Sequence, residues 1–278
     1  MARNKQGKSP AKTEAPKENY GVPYAPPVRH RFDPNVPAVR ELMEKLPKGL
    51  FSVVANESAR YTSFLGNTLS LVMPYGSRYS IHTGCYVVDS CNRAFAGLDP
   101  QEDWIMLMGD DHGFPPELIL KLLAHMYDKD LDVIVPVCFK RDFPPTPVLY
   151  KYADAPEGAA EDYAYDEKEQ RALFPIDLND YPNGGLIEVD GAGSAGMVVR
   201  RRVVEAMEPP WFRLGVGHWG EDLDFCRRAQ DLGFKIHADL DMSLGHIVNT
   251  TIWPTRNQQG EWSCRYDFGS QGGFILGL

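Results

Sequence analysis

The sequence predicts an α/β protein in which a mostly parallel, Rossmann-like sheet is flanked by helices. First, short apolar runs of strand length alternate with amphipathic stretches from residue 49 to residue 137, as in βαβ units. Second, the run 104–108 is apolar throughout and ends in Gly-Asp-Asp-His, which is typical of a central strand buried on both faces. Third, the length of 278 residues is enough for one large α/β domain.

The individual elements follow from the spacing of the apolar residues. Apolar residues at helical spacing, such as Leu118, Leu122 and Met126, predict helices, and apolar runs bounded by turn residues predict strands. The predicted strands are 49–55, 79–82, 103–108, 131–137, 185–190, 195–200, 234–237 and a short one ending at 244–247. The predicted helices are 39–46, 58–72, 86–97, 118–126 and 221–232.

One segment interrupts this alternation. Residues 151–183 are acidic, contain Tyr and Pro, and show no periodicity, which predicts a long surface insertion into a single domain. Such a loop is either a lid or specificity element, or merely mobile. The glycine-rich stretch 191–194 that follows lies between two predicted strands and opens no helix, so a turn or bulge is favoured over a phosphate-binding loop.

Composition and charge bound the class of protein. The net charge is −9, but residues 1–31 hold seven Lys/Arg against two Glu, so the tail carries +5 and the remainder −14. We expect a disordered basic tail over 1–35, a main domain over 36–255 and a C-terminal extension over 256–278. An acidic body argues against a nucleic-acid groove.

The cysteines and the hydropathy pattern indicate the compartment. Five widely spaced cysteines form no Cys-x-x-Cys pair, which argues against a disulfide framework or a zinc knuckle and fits reduced thiols. No signal peptide is recognisable at the N-terminus, and no apolar run is long enough to span a membrane. We therefore expect a soluble, cytoplasmic protein.

The strand end at Asp110, Asp111 and His112 is the first candidate site. Ligands of open α/β sheets bind outside the carboxyl ends of the strands, and carboxylate oxygens at the end of a rigid element are ligands that hard cations prefer. The alternative interpretation is a solvated acidic turn that follows a strand.

A second acidic stretch begins the helix predicted at 221–232. Glu221, Asp222 and Asp224 fall in its first turn, where simple complementarity with the helix dipole would explain them. The preceding Trp219-Gly220 favours a ligand site instead, because Gly lets a ligand approach the backbone and Trp offers a stacking face. A helix N-terminus also favours an ionised carboxylate, as a general base requires.

Three motifs, in this order along the chain, resemble those of GT-A-type nucleotide-sugar glycosyltransferases, in particular the family 2-like branch. The strand end 110–112, followed by Phe-Pro-Pro and a Leu-rich helix, is similar to the DxD segment. The stretch 220–226 with Gly233 is similar to the Gly-Glu-Asp segment, and 245–247 to the Gly-His element. The resemblance runs from about residue 50 to residue 247, outside the tail and insertion, and implies the GT-A fold.

The resemblance implies a metal site at the strand end. Asp111 matches the second Asp of DxD and would hold a divalent cation that bridges the donor diphosphate, and His246 would complete the site. His112 is either a further ligand or a hydrogen-bonding neighbour, and Asp110 would contact the ribose or the metal. The expected ion is Mn²⁺ or Mg²⁺. The sequence departs from the motif at Gly109, where relatives carry the first Asp.

The resemblance also implies the roles of the remaining candidates. Asp222, with Glu221 as the second choice, would deprotonate or orient the acceptor hydroxyl. Asn56 and Glu57 end the first strand where the family contacts the nucleotide. Asn92 lies where relatives often carry Arg-Asn, although here Cys precedes it.

The function that these roles imply is metal-dependent transfer of a sugar from a nucleotide-diphospho-sugar to the hydroxyl of a glycan, protein or small molecule. One alternative is a nucleotidyltransferase of related fold, but the first strand leads into Ala55–Ser58 rather than into a glycine-rich basic loop. The other is an inactive module that binds sugar nucleotides or glycans, which Gly109 supports.

Overall fold

The computed structural model describes residues 33–55, 62–83, 86–141, 145–155, 163–167, 170–215, 218–248, 250–256, 262–267 and 273–277. The chain divides into two units, 1–31 and 32–278, and every described residue belongs to the second. Residues 1–32 of the predicted tail, and the predicted nucleotide contacts Asn56 and Glu57, lie outside the described residues.

The helices and strands of the described residues largely follow the predicted alternation. The helices are α1 (Pro37–Lys45), α2 (Thr62–Ser70), α3 (Val87–Ala96), α4 (Leu118–Asp128), α5 (Arg201–Ala206) and α6 (Glu221–Asp231). The first strands are β1 (Leu50–Val54), β2 (Arg78–His82), β3 (Trp104–Gly109), β4 (His112–Gly113), β5 (Val133–Val137), β6 (Leu149–Asp154), β7 (Tyr165–Asp166) and β8 (Arg171–Pro175). The remaining strands are β9 (Leu186–Val189), β10 (Gly191–Ala192), β11 (Val198–Arg200), β12 (Ile236–Ser243), β13 (Gly245–His246), β14 (Thr251–Arg256), β15 (Trp262–Asp267) and β16 (Gly273–Gly277).

A seven-stranded sheet in the order β2-β1-β3-β11-β5-β12-β9 forms the centre of the described unit. Strands β2, β1, β3, β5 and β12 run in one direction, and β11 and β9 run against them. The predicted mixed α/β architecture with a mostly parallel sheet is confirmed. Strands β3 and β5 are not adjacent in the sheet. Strand β11, from much later in the chain, lies between them and pairs with both.

Strand β3 is buried on both faces, as its continuous apolar run predicts. Alternate side chains of a strand point to opposite faces, and Ile105 and Leu107 pack in the layer that contains residues of α3 and α6. Met106 and Met108 pack in the other layer, against residues of α4. Each such side chain contributes about 1.5–3 kcal/mol by its burial, so β3 anchors the sheet between two apolar layers.

The parallel strands place their carboxyl ends along one edge of the sheet. Val54, the last residue of β1, is opposite Gly109, the last residue of β3. Val137 at the end of β5 is opposite Ser243 at the end of β12. The residues that follow β3, β5 and β12 therefore converge at this edge.

The segment 151–183 is not a strandless loop. Strand β6 pairs with β8, and β8 with β7, in a four-stranded sheet that β10 completes. The outer half of β6 is exposed, so no regular apolar alternation marks it in the sequence. Strands β14, β15 and β16 form a separate antiparallel sheet within the C-terminal part. None of the described helices is both long and apolar enough to cross a membrane.

Candidate metal centre and acidic helix

Two histidines meet at the carboxyl edge of the sheet because two short strands pair there. Strand β4 follows β3, strand β13 follows β12, and the antiparallel pairing of β4 with β13 sets His112 directly opposite His246. Their rings stack with centroids 4.4 Å apart and planes inclined by 24°. The backbone N–H of Ile247 also donates to the carbonyl of Asp111 at 2.7 Å, which fixes the two segments together.

The carboxylate of Asp111 lies between the two imidazoles and an arginine. Its Oδ1 is 2.8 Å from Nδ1 of His112, and its Oδ2 is 3.2 Å from Nε2 of His246. Nη1 of Arg141 lies 3.3 Å from the same Oδ2. The predicted residues Asp111, His112 and His246 are thus brought together, with a cationic side chain that no sequence motif indicated.

The ring orientation of His246 follows from one backbone contact. Its Nδ1 lies 2.9 Å from the carbonyl oxygen of Phe139. A carbonyl only accepts hydrogen bonds, so Nδ1 carries the proton and Nε2 faces Asp111. A backbone carbonyl that binds the distal nitrogen in this way is the usual support of a histidine that ligates a metal through its other nitrogen.

Cys138 completes the group and was not among the predicted site residues. It directly follows β5, is 2% exposed, and its Sγ contacts the carbonyl of Phe139 at 3.6 Å. One potential ligand atom each from His112, Cys138 and His246 lie within 4.8 Å of one another. The signal that could have found Cys138 is its place directly after a buried parallel strand.

The donor set fits a divalent metal ion. Imidazole nitrogens, a thiol sulfur and a carboxylate are the side chains that bind such ions in proteins. The side chain of His112 is buried, and although Nδ1 is close to Asp111, it meets no partner among the described residues in the direction that a hydrogen bond requires. A buried nitrogen without a hydrogen-bond partner costs stability, and metal ligation would satisfy it.

The charges of the cluster are strongly coupled. Burial alone would lower the pKa of His112, but contact with Asp111 and Cys138 raises that pKa to about 9. Burial likewise opposes the charged form of His246, yet Asp111, Cys138 and the Phe139 carbonyl raise its pKa to about 10. Burial would raise the pKa of Asp111, and the two imidazoles hold it well below its usual range. With no ion bound, both imidazoles are therefore protonated at neutral pH, and a metal ion would have to displace their protons.

The same balance acts on the thiol. Burial raises the pKa of Cys138, but the neighbouring imidazoles of His112 and His246 outweigh burial and bring that pKa down to about 7. A thiol with this pKa is partly ionised at neutral pH, and the thiolate is the form that ligates metals.

Gly109 explains the departure from DxD in steric terms. A Cβ at this position would lie 2.9 Å from Oδ1 of Asp111 and 2.9 Å from Nδ1 of His112. A first Asp would thus displace the side chains that form the cluster. Asp110 is half-buried beside Asp111 and is the remaining acidic residue of the segment.

The acidic helix α6 presents Asp222 and Asp224 in different settings. Oδ1 of Asp224 lies 2.7 Å from Nη2 of Arg227, so this carboxylate forms an ion pair with a residue of the same helix. Asp222 accepts the backbone N–H of Leu223 at 2.8 Å. Burial, and then the charge of Glu221, raise the pKa of Asp222 to about 6, which suits a general base better than an ordinary aspartate.

Lys140 lies two residues after Cys138 in the chain, and its charge acts on Asp222 by favouring the ionised form. Oδ2 of Asp222 would lie 3.7 Å from a Cβ at Gly193, so the carboxylate borders the glycine-rich segment that connects β10 and β11. Glu221 is half-buried beside it.

Asn92 lies in a different environment from the cluster. Its Nδ2 donates to the carbonyls of Val88 and Phe212 at 2.9 and 2.8 Å, and its Oδ1 accepts the N–H of Phe212 at 3.0 Å. The side chain therefore fastens α3 to the segment before α6. It also lines an open cleft of about 560 Å³ with Asp89, Arg93, Ala96, Pro209, Pro210 and Trp211. A nucleotide contact by Asn92 stays a prediction.

No sequence-family model matches the chain, and no curated protein matches it at a significant level. Among solved structures, A197 from STIV is 12% identical over 82% of this chain and 93% of its own, with a TM-score of 0.48. GalNAc-T7, solved with UDP, GalNAc and Mn²⁺, is 9% identical over 74% of this chain, with a TM-score of 0.50. The match spans 45% of the GalNAc-T7 chain. Identities this low show similarity of fold alone, and the fold of this chain is similar to that of GalNAc-T7.

Proposed function

We propose that this protein is a metal-dependent glycosyltransferase that transfers a sugar from a nucleotide-diphospho-sugar to an acceptor hydroxyl. The observation that carries the proposal is the convergence of Asp111, His112 and His246 at the carboxyl edge of the sheet, where α/β proteins bind their ligands. The fold similarity to GalNAc-T7 agrees with the proposal, and that structure contains UDP, GalNAc and Mn²⁺.

Asp111, His112 and His246 would hold a divalent ion, Mn²⁺ or Mg²⁺ by the resemblance. When bound, such an ion neutralises charge that develops on the departing nucleoside diphosphate. Arg141, 3.3 Å from Asp111, adds positive charge on the same side and can contact a phosphate oxygen through its planar donors. The protein thus needs no proton donor for the leaving group.

Asp222 would accept the proton of the acceptor hydroxyl or orient that hydroxyl. Its raised pKa, about 6, leaves it ionised at neutral pH yet basic enough to take a proton. Glu221 raises that pKa by its charge. Asp110, Asn56, Glu57 and Asn92 remain proposed contacts of the donor nucleotide.

The test is metal-dependent release of nucleoside diphosphate from a panel of UDP- and GDP-sugars. We expect turnover by the wild type with Mn²⁺, and at least about 100-fold less by Asp111→Asn, since ligand loss exceeds the 10- to 100-fold effect of a supporting residue. Asp128→Asn is the matched control, because Asp128 is an exposed carboxylate on α4 that pairs with Lys129.

Other outcomes would point to the alternatives. Turnover of nucleoside triphosphates instead of sugar nucleotides would indicate a nucleotidyltransferase. Metal-dependent binding of sugar nucleotides without turnover over long incubation would indicate a binding module. Full activity of a folded Asp111→Asn variant would contradict the proposed site.

A further inference from the structure

We propose that Cys138 is a ligand of this metal centre and that the resulting His112–Cys138–His246 set selects Zn²⁺ and Co²⁺ over Mg²⁺ and Mn²⁺. The inference deepens the proposed function, on whose metal centre it rests, and it departs from the ions that the resemblance implies. It concerns a residue that no motif of the sequence indicated.

The positions of the donor atoms suit a small tetrahedral ion. Zinc bonds of about 2.0–2.3 Å separate ligand atoms by roughly 3.3–3.6 Å in a tetrahedron. The ligand atoms of His112, Cys138 and His246 already lie within 4.8 Å of one another. Side-chain rotations that move the donor atoms by about 1 Å would bring them to the separations of a tetrahedral site, with the backbone unchanged.

Backbone hydrogen bonds hold the segments that carry the three donor side chains. The carbonyl of Cys138 accepts the N–H of Val148 at 3.0 Å, and the carbonyl of Val137 accepts the N–H of Leu244 at 2.8 Å. The pairing of β4 with β13 fixes the two histidines. Donors held on strand ends in this way need little ordering to bind a metal.

Two features of the side chains favour ligation over an inert buried thiol. His112 is 5% exposed, and its Nδ1, although 2.8 Å from Oδ1 of Asp111, has no described group in the direction of a hydrogen bond. His246 has its Nδ1 held by Phe139, so Nε2, which lies 3.2 Å from Oδ2 of Asp111, is the nitrogen that would ligate the metal. The buried Cys226 also contacts a backbone carbonyl, that of Ala192 at 3.7 Å, but it belongs to no metal-binding group of the described residues.

The chemistry of the donors determines the choice of ion. Mg²⁺ requires near-octahedral oxygen ligands and releases its water reluctantly. A thiolate with two imidazoles suits Zn²⁺ and Co²⁺ instead. On binding, the S–H bond of Cys138 and the N–H bonds at the ligating nitrogens of His112 and His246 are replaced by bonds to the metal, and the protons pass to water. Asp111 or an oxygen of the donor diphosphate would occupy the fourth position.

The experiment is a Co²⁺ titration of the full-length protein after treatment with a chelator. We expect visible d–d bands together with a near-ultraviolet thiolate-to-cobalt charge-transfer band. Cys138→Ser should lose the charge-transfer band and bind Zn²⁺ at least about 100-fold more weakly, since a lost ligand costs more than a lost supporting residue. Cys226→Ala, a buried thiol outside the cluster, should retain both sets of bands.

Competition completes the design. Stoichiometric Zn²⁺ should displace Co²⁺ and abolish the spectrum, whereas a hundredfold excess of Mg²⁺ should not. A wild-type spectrum with d–d bands but no charge-transfer band would overturn the role of Cys138 and leave the proposed function standing. Absence of any binding of Co²⁺, Zn²⁺ or Mn²⁺ would overturn both. The wild-type spectrum decides the question even if Cys138→Ser does not fold.

Discussion

The substitution Gly109→Ala is expected to weaken metal binding, although it adds only one methyl group. The new Cβ would lie 2.9 Å from Oδ1 of Asp111, 2.9 Å from Nδ1 of His112 and 3.0 Å from its Cε1. Each contact is about 0.5 Å shorter than ordinary van der Waals separation, and both neighbours are proposed ligands. Either the ligands move or the end of β3 moves.

The magnitude follows from the cost of overpacking. Forcing an extra methyl group into a packed site costs about 1–3 kcal/mol, which corresponds to about a 5- to 150-fold loss of affinity if the displacement is confined to the bound geometry. Restoring the first Asp of DxD by Gly109→Asp should weaken binding at least as much, because the larger side chain passes through the same Cβ position.

The assay is competition for Zn²⁺ or Co²⁺ against a chromophoric chelator, with thermal unfolding as the check on folding. Gly113→Ala and Gly245→Ala are matched controls on the same two short strands, since their Cβ atoms would come no closer than 3.6 and 3.8 Å to a neighbour. The reasoning is refuted if folded Gly109→Ala binds metal as tightly as these controls.

Four further predictions concern Asp222, Asn92 and the stability that a bound metal adds. Transfer activity should rise with pH through about 6 as Asp222 ionises, and Asp222→Asn should remove that limb of the pH profile. Folding raises the pKa of Asp222 from 3.8 to about 6, so the stability that its protonated form retains is full below pH 3.8 and is lost as pH rises through 6. Relative to the wild type, Asp222→Asn should therefore increase the free energy of unfolding more at pH 7 than at pH 3.5, by at most about 3 kcal/mol; the same effect at both pH values would contradict the shift. Asn92→Ala should lower the free energy of unfolding in urea by about 1–3 kcal/mol, since it leaves the backbone groups of Phe212 without partners, and a loss below about 0.5 kcal/mol would argue against that bridge. Addition of Zn²⁺ at 100 times its Kd should stabilise the protein by about 2.7 kcal/mol, and Asp111→Asn should reduce that gain; equal gains in both proteins would place the metal elsewhere.

The parts of the fold that the sequence predicts are those in which local pattern and burial agree. Strand β3 carries five consecutive buried apolar residues, and α4 buries six residues at helical spacing. Both elements were therefore visible without tertiary information. Their junction at Asp110–Gly113 gave the candidate site because a polar cluster ends an apolar run there.

Long-range pairing was beyond the reach of the sequence. His112 and His246 face each other through two strands of two residues each. The sequence predicts a short strand ending at 244–247, but not β4, and no propensity argument predicts that two such short strands pair. Cys138 joins them because β5 lies two places from β3 in the sheet, with β11 inserted between. The apolar pattern of neighbouring residues predicts single strands but not the order in which they lie in the sheet. The strands of 151–183 were missed for a related reason, because the outer half of β6 is exposed and shows no alternation.

Gly109 and Cys138 together account for the way this site differs from the motif that it resembles. A DxD motif supplies two negative charges, and a divalent ion among two neutral imidazoles needs about that many for its charge to be balanced. Gly109 supplies none, since a side chain there would strike Asp111 and His112. On the proposed ligand set the second charge comes from the thiolate of Cys138, which follows β5, a strand parallel to β3 and two places from it in the sheet. On that ligand set, the charge that Gly109 does not supply at β3 would come from a softer ligand that follows β5, and this is the physical reason why the site would favour a different ion.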